Sequence, residues 1–215
     1  NQLHEVIRLS GMNLIINDTD HPLIIKVASI AGTRVQVYFI DNDDYFSKRQ
    51  MTSDEQGADY ADNGERAVFF ARGVLETVKK LRWVPDIIHC QGWMSAVVPF
   101  YVKTAYKDEP SFADAKVVTS LFPSARFADL GPGFAQSVEY RDAKPELLSA
   151  YSGRFDFEEL GRLAVDFSDG VVLAHKDVSK TLTDYAEGKG IPVLPFSDSL
   201  SDGLEAFYDK VYPDK

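Results

Sequence analysis

Cysteine is almost absent from this 215-residue chain: Cys90 stands alone, so no disulfide framework can hold the fold, and a reducing compartment is indicated. Long apolar runs are missing too. The longest, Val97 to Val102, spans about six residues, where a membrane-spanning helix needs roughly 18 or more. Positive charge is scarce. Against 33 Asp and Glu there are 23 Lys and Arg, a formal charge of −10. That balance argues against nucleic acid or a membrane as partner, because phosphate surfaces demand clustered cations. The first residues carry no basic-then-apolar pattern, so a secretory leader is not expected. The four histidines, His4, His21, His89 and His175, are scattered without metal-ligand spacing. No Gly-x-Ser-x-Gly turn occurs, and Gly131-Pro132-Gly133 does not directly join a strand to a helix start as a phosphate loop must. What is present is ordinary for a globular protein: 45% apolar and 26% charged residues. A chain of this length can bury roughly 70% of the surface its unfolded form exposes. A soluble, cytoplasmic, acidic domain without metal or cofactor is expected.

The two ends of the chain have different rhythms. Residues 1–45 hold four strand-like runs, His4 to Leu9, Leu14 to Ile16, Leu23 to Ser29 and Arg34 to Ile40. The turn-rich separators are Ser10-Gly11, 17–22 and Ala31-Gly32-Thr33, too short for parallel crossovers, so antiparallel hairpins follow. From residue 60 onward strands alternate with helices. Phe70, Val74, Val78 and Leu81 recur at helical spacing over Arg66 to Leu81. Strands are expected at Ile87 to Cys90, Lys116 to Leu121, Val171 to Ala174 and Ile191 to Phe196. Helices are expected at Phe157 to Phe167, Val178 to Glu187 and Ser201 to Tyr212, and Trp93 to Tyr106 looks helical, with Pro99 kinking it unless it sits in the first turn. This alternation predicts an α/β fold, a parallel sheet with right-handed crossovers and helices on both faces, preceded by the hairpins in a single domain. The irregular residues 123–155 lie past a strand's C-terminal end, where open α/β sheets place their ligands.

Several residues invite chemistry. Asp62 and Glu65 fit a capping box at the start of the longest helix, and Asp156 and Glu159 repeat it. Asp41-Asn42-Asp43-Asp44 resembles a cation loop, but Tyr45 and Phe46 stand where a ligand and a glycine belong. Eight acids fall between Asp41 and Glu65 against Lys48 and Arg49, which favours a solvated acidic loop. His89 and Cys90 are neighbours on one strand and point to opposite faces, so they cannot form a nucleophile–base pair. Cys90 is expected to pack as a small core residue.

Three ordered stretches carry a family resemblance: Val37-Tyr38-Phe39-Ile40-Asp41-Asn42 with Tyr45-Phe46; Asp62-Asn63-x-Glu65-Arg66 with Phe69, Phe70, Arg72, Leu75 and Glu76; and Trp83-x-Pro85-Asp86-Ile87-Ile88-His89-Cys90-x-x-Trp93 with Pro99 and Lys103. Together they resemble the N-terminal domain of bacterial glycogen synthases and plant starch synthases, with a weaker match over Leu163 to Val178. The resemblance implies one Rossmann-like half of a GT-B glycosyltransferase. Such enzymes transfer glucose from ADP-glucose to an α-1,4-glucan, without a metal, between two domains.

The departures fall at the sugar. The family's strand-to-helix turn reads His-Asp-Trp-His; here it reads Gln91-Gly92-Trp93-Met94, with Gly92 at the aspartate position. The family's next strand ends in a His-Asn pair, and Phe122 and Pro123 occupy those positions. Neither can accept from a sugar hydroxyl or stabilise developing charge. The family's Lys-x-Gly-Gly-Leu opening and its donor domain have no counterpart, and the chain opens at Asn1, so a truncated piece of a longer protein is expected. The resemblance therefore implies an acceptor-side domain with little or no transferase activity alone, or a glucan-binding or regulatory module that kept the fold. Its substrate-binding candidates are Asp62, His89, Gln91, Gly92, Trp93 and Phe122, with no catalytic residue. The implied partners are an α-glucan and either a separately encoded donor domain or a second copy of the chain.

Overall fold

The structure, a computed structural model, describes residues 5–47, 49–123, 128–151 and 153–213. His4 and Lys48, which entered the strand and acidic-loop expectations, lie outside the described residues.

Strand β1 (Val6–Ile16) pairs antiparallel with β2 (Thr19–Ser29), which pairs antiparallel with β3 (Gln36–Asp41), giving a three-stranded meander. Asn17 and Asp18 close the first hairpin at φ 50° and 59°, the left-handed turn that short polar side chains tolerate. The expected break at Ser10-Gly11 is not a turn. β1 runs through it as a bulge, with the register shifting between Leu9 and Met12 and Gly11 at φ 80°. A glycine in the left-handed region bends a strand without ending it. Two expected strands are thus one.

Asn42 caps a short helix α1 (Asp43–Phe46), accepting from the amides of Asp44 and Tyr45 at 3.0 Å each. The long helix α2 (Asn63–Lys80) follows. Its expected capping box does not form, because stronger partners claim both acids. Asp62 makes no cap bond and instead accepts both terminal nitrogens of Arg49, at 2.6 and 2.7 Å. Glu65 accepts from the Tyr45 hydroxyl at 2.8 Å and from Asn17 Nδ2 at 2.7 Å. A fork-to-fork charged pair outweighs a single backbone amide. The acidic loop is consequently less solvated than its composition suggests. Asp41 pairs with Lys26 at 2.7 Å and Asp54 accepts from two amides of its own turn, while Asp43, Asp44 and Glu55 remain exposed.

The second part of the chain builds a parallel sheet. Strands β4 (Ile87–Gln91), β5 (Lys116–Leu121), β6 (Gly170–Leu173) and β7 (Val193–Leu194) lie in that order. After β4 the chain makes a 3-10 turn, Trp93–Val97, then α3 (Val98–Lys103), with Pro99 in the first turn, where it breaks no hydrogen bond. The irregular stretch contains α4 (Phe134–Ser137) and a 3-10 turn at Pro145–Leu148. Next come α5 (Phe157–Asp166), α6 (Lys180–Glu187) and α7 (Leu200–Val211). Asp156 caps α5 through the Glu159 amide at 2.9 Å, half of its expected box; the Glu159 carboxylate turns instead toward Arg162.

Alternation along the strands sorts the two faces. Ile87, Val118 and Val172 pack against Phe207 and Val211 of α7. On the opposite face Leu121, Val171 and Leu173 meet Val165 of α5 and Leu182 and Ala186 of α6. The largest cluster joins Leu23 and Ile25 of the meander, Ala67, Phe69 and Leu75 of α2, Val97 and Phe100, and Leu160 and Leu163 of α5. α2 therefore serves both sheets.

Candidate functional site

The cavity at the strand ends is small, about 150 Å³, and lies where β4 and β5 reach their C-termini. Parallel pairing sets Gln91 beside Ser120, so both strands leave the sheet at one level. Gly92, Trp93, Phe122 and Pro123 line one side, and Leu160, Gly161 and Ala164 of α5 form the other. Gly161 makes the α5–α6 approach possible: a Cβ there would stand 2.9 Å from Leu182 Cδ1. Gly92 has φ 82° and ψ 162°, with nothing within 4 Å of where a Cβ would stand.

The hydroxyls around the cavity are engaged internally. Ser95 donates toward the carbonyls of Gln91 and Gly92, at 2.8 and 2.9 Å. Thr119 Oγ1 meets Ser168 Oγ at 2.7 Å, and Ser120 Oγ meets His89 Nε2 at 2.7 Å. Cys90 is buried in the wall, and burial pushes its thiol up to about 12. The cavity thus offers apolar walls and a protonated thiol, with no free carboxylate or imidazole among its lining residues.

Of the six sequence candidates, Gly92, Trp93 and Phe122 line this cavity. Trp93 is only 8% exposed, a wall rather than a stacking platform, whereas Phe122 is half-buried at the rim. Gln91 is exposed at the end of β4. His89 lies on the other sheet face, where its Nδ1 meets the Tyr208 hydroxyl at 2.5 Å; burial holds its pKa below the ordinary value, keeping the ring neutral. Strand alternation thus separates His89 from Cys90 as expected. Asp62 is half-buried at the start of α2 and bound to Arg49. The α5 wall and the His89–Tyr208 contact join residues far apart in sequence; the sequence signals are an isolated glycine, Gly161, within a helical pattern for the first and the apolar face of the last helix for the second. Among the described residues no group of three His, Cys, Asp or Glu could hold a metal ion, and no helix is long and apolar enough to cross a membrane.

The residues carrying the sequence resemblance turn out to organise the fold. Arg66, 2% exposed, donates to the carbonyls of Tyr45, Gln50 and Met51 and to Asn63 Oδ1, at 2.7 to 3.1 Å. It clasps the loop between α1 and α2. Tyr45, buried, bridges His21 Nε2 at 3.0 Å and Glu65 at 2.8 Å; burial and then the Glu65 bond raise its pKa far above the ordinary phenol value.

A parallel sheet with helices on both faces and a cavity at its strand ends is a Rossmann-like architecture, the kind that forms one half of a GT-B fold. The starch synthase catalytic domain family matches residues 1–178, and the chain belongs to that family. A glycogen synthase from Chlorobium limicola is 35% identical over 149 residues, 65% of this chain and 30% of that protein. A glycogen synthase from Chlorobaculum parvum is 29% identical over 187 residues, covering 86% of this chain and 38% of its own length. The chain thus spans about a third of these curated relatives. Among solved structures, the catalytic domain of starch synthase IV from Arabidopsis thaliana, bound to ADP and acarbose, superposes with a TM-score of 0.65 over 93% of this chain and 42% of that one. At 17% identity that likeness speaks for the fold.

Proposed function

We propose that this chain is the acceptor-side half of a glycogen/starch synthase-type protein, and that alone it contacts α-1,4-glucan without transferring glucose from ADP-glucose. The observation carrying this reading is the strand-end cavity. Gly92, Phe122 and Pro123 offer no polar side chain there, and the neighbouring hydroxyls already have partners. Glycosyl transfer develops positive charge at the sugar and needs placed carboxylates or dipoles to stabilise it. Membership of the family supports the glucan as ligand class.

The decisive assay is ADP release from ADP-glucose with glycogen as acceptor, run beside glycogen co-sedimentation. The expected result is retention on glycogen with ADP release at the blank level. Gln91→Ala and Phe122→Ala, at accessible positions, should lower retention severalfold with the chain still folded. Chain-dependent ADP release overturns the inactivity, and absence from the glycogen pellet overturns the glucan contact.

A further inference from the structure

Arg72 is a buried cation that meets no anion among the described residues. Only 4% exposed, it projects from α2 toward β1, where Nη1 donates to the Ile15 carbonyl at 2.5 Å. The ring of Tyr140 lies against the guanidinium, 4.0 Å from Cζ to centroid, and fixes its plane. No acceptor among the described residues meets Nε, and none of their carboxylates lies within ion-pair distance. The neighbouring acids have other partners. Glu76 accepts from the Tyr106 hydroxyl at 2.8 Å and stands 3.7 Å from Lys79. Glu109 takes Lys79 at 3.0 Å and Arg141 at 2.6 Å. Glu139 pairs with Lys144 at 3.1 Å. Setting Arg72, Lys79, Arg141 and Lys144 against Glu76, Glu109 and Glu139 leaves one positive charge over, in a protein whose net charge is −10.

Arg72 borders a groove of about 540 Å³ between β1, α2 and the Tyr140–Arg141 turn, with Lys79 and Arg141 on its walls beside Glu76 and Glu139. A desolvated guanidinium with one carbonyl for company is costly unless an anion completes it. Nη1 is occupied and Nε, itself buried, has no partner among the described residues, and the fork of a guanidinium matches the two oxygens of an oxyanion. We propose that this groove is a binding site for a small oxyanion-bearing molecule, a phosphate ester or a carboxylate. The oxyanion sits on Arg72, with Lys79 and Arg141 flanking it and the rest of the ligand filling the groove. The volume suits a metabolite-sized molecule. The site is separate from the strand-end cavity and shares no lining residue with it.

The test uses the whole chain, with inorganic phosphate and acetate as probes at constant ionic strength held with sodium chloride. Calorimetry reads affinity, and the Arg72 Nε–Hε resonance in a ¹H–¹⁵N spectrum reads the place. Saturable binding is expected, together with a shift of that resonance. Arg141→Ala, at an exposed position, should weaken binding about threefold, and Arg72→Gln tenfold or more. Phosphate binding without acetate binding assigns a phosphate ester; binding of both assigns the oxyanion more broadly. If neither anion saturates, or if the Arg72 resonance stays fixed while Arg141→Ala leaves affinity unchanged, the proposal fails. The resonance and the Arg141→Ala arm decide the matter even if Arg72→Gln does not fold.

Discussion

Asp62 illustrates how a residue can be read correctly as important and wrongly as to why. An acid before a helix, with glutamate three residues on, satisfies the capping pattern, but sequence cannot show that Arg49 lies within 2.6 Å. The two accounts are separable. Asparagine caps a helix about as well as aspartate, yet cannot hold a guanidinium as an ion. Asp62→Asn is therefore expected to destabilise the chain nearly as much as Asp62→Ala, by about 1 kcal/mol for this part-exposed bidentate pair. The loss should shrink at high salt. Urea unfolding at low and high sodium chloride measures it; an Asn variant as stable as the parent would restore the cap. Arg66 carries the same lesson further. In sequence it is one more cation beside an acidic loop, and in the fold it is a buried tie for three carbonyls 15 to 21 residues upstream.

Among the elements, those with strong periodicity were legible within a residue or two: β4, β5, α5 and α7 lie close to their expected spans. What failed was local. Gly11 reads as a turn because glycine marks turns and bulges alike, and only the pairing partner distinguishes them. The short α1 has too few residues to show a period. Docking of α7 was half legible. Its apolar face is visible in Leu204, Phe207, Tyr208 and Val211, but its polar anchor, Tyr208 on His89, spans 119 residues. That anchor is pH-sensitive. Burial lowers the His89 pKa, so the folded state takes up a proton less readily than the unfolded chain. Its stabilising contribution is whole above the unfolded histidine value of about 6.5 and is lost as pH falls from there toward the lower folded value. Amide exchange in α7 should accelerate as pH drops below about 6.5, after correction for intrinsic rates. Tyr208→Phe should already lower α7 protection at neutral pH by about 1 kcal/mol. Equal protection in variant and parent would remove the anchor.

For the whole molecule, the fold class was readable because alternating patterns dictate a parallel sheet, and the meander because its connections are short. The site was only partly readable. Gly92, Trp93 and Phe122 converge because parallel strands end together, which a sequence implies; the α5 wall closes over them through tertiary packing, which it does not. The two sheets are further bound by α2, where Gly73 lets Ile40 of β3 come close: a Cβ at that glycine would stand 2.8 Å from Ile40 Cγ2. Gly73→Val is expected to cost about 2 kcal/mol by overpacking. Because α2 belongs to both sheets, the loss should appear as one shifted thermal transition by far-UV and near-UV dichroism alike. Two separated transitions would show that the meander melts alone.

The backbone at Gly92 limits what can stand there. With φ 82° and ψ 162° it occupies a region essentially closed to every residue bearing a side chain. The family resemblance puts an aspartate at this place, and there is ample room for one, but the peptide has turned to a shape an aspartate can enter only with strain of about 1–3 kcal/mol. Gly92→Asp alone would therefore place a carboxylate on a strained turn. Setting a carboxylate here without strain requires the turn itself to change, which takes more than one substitution.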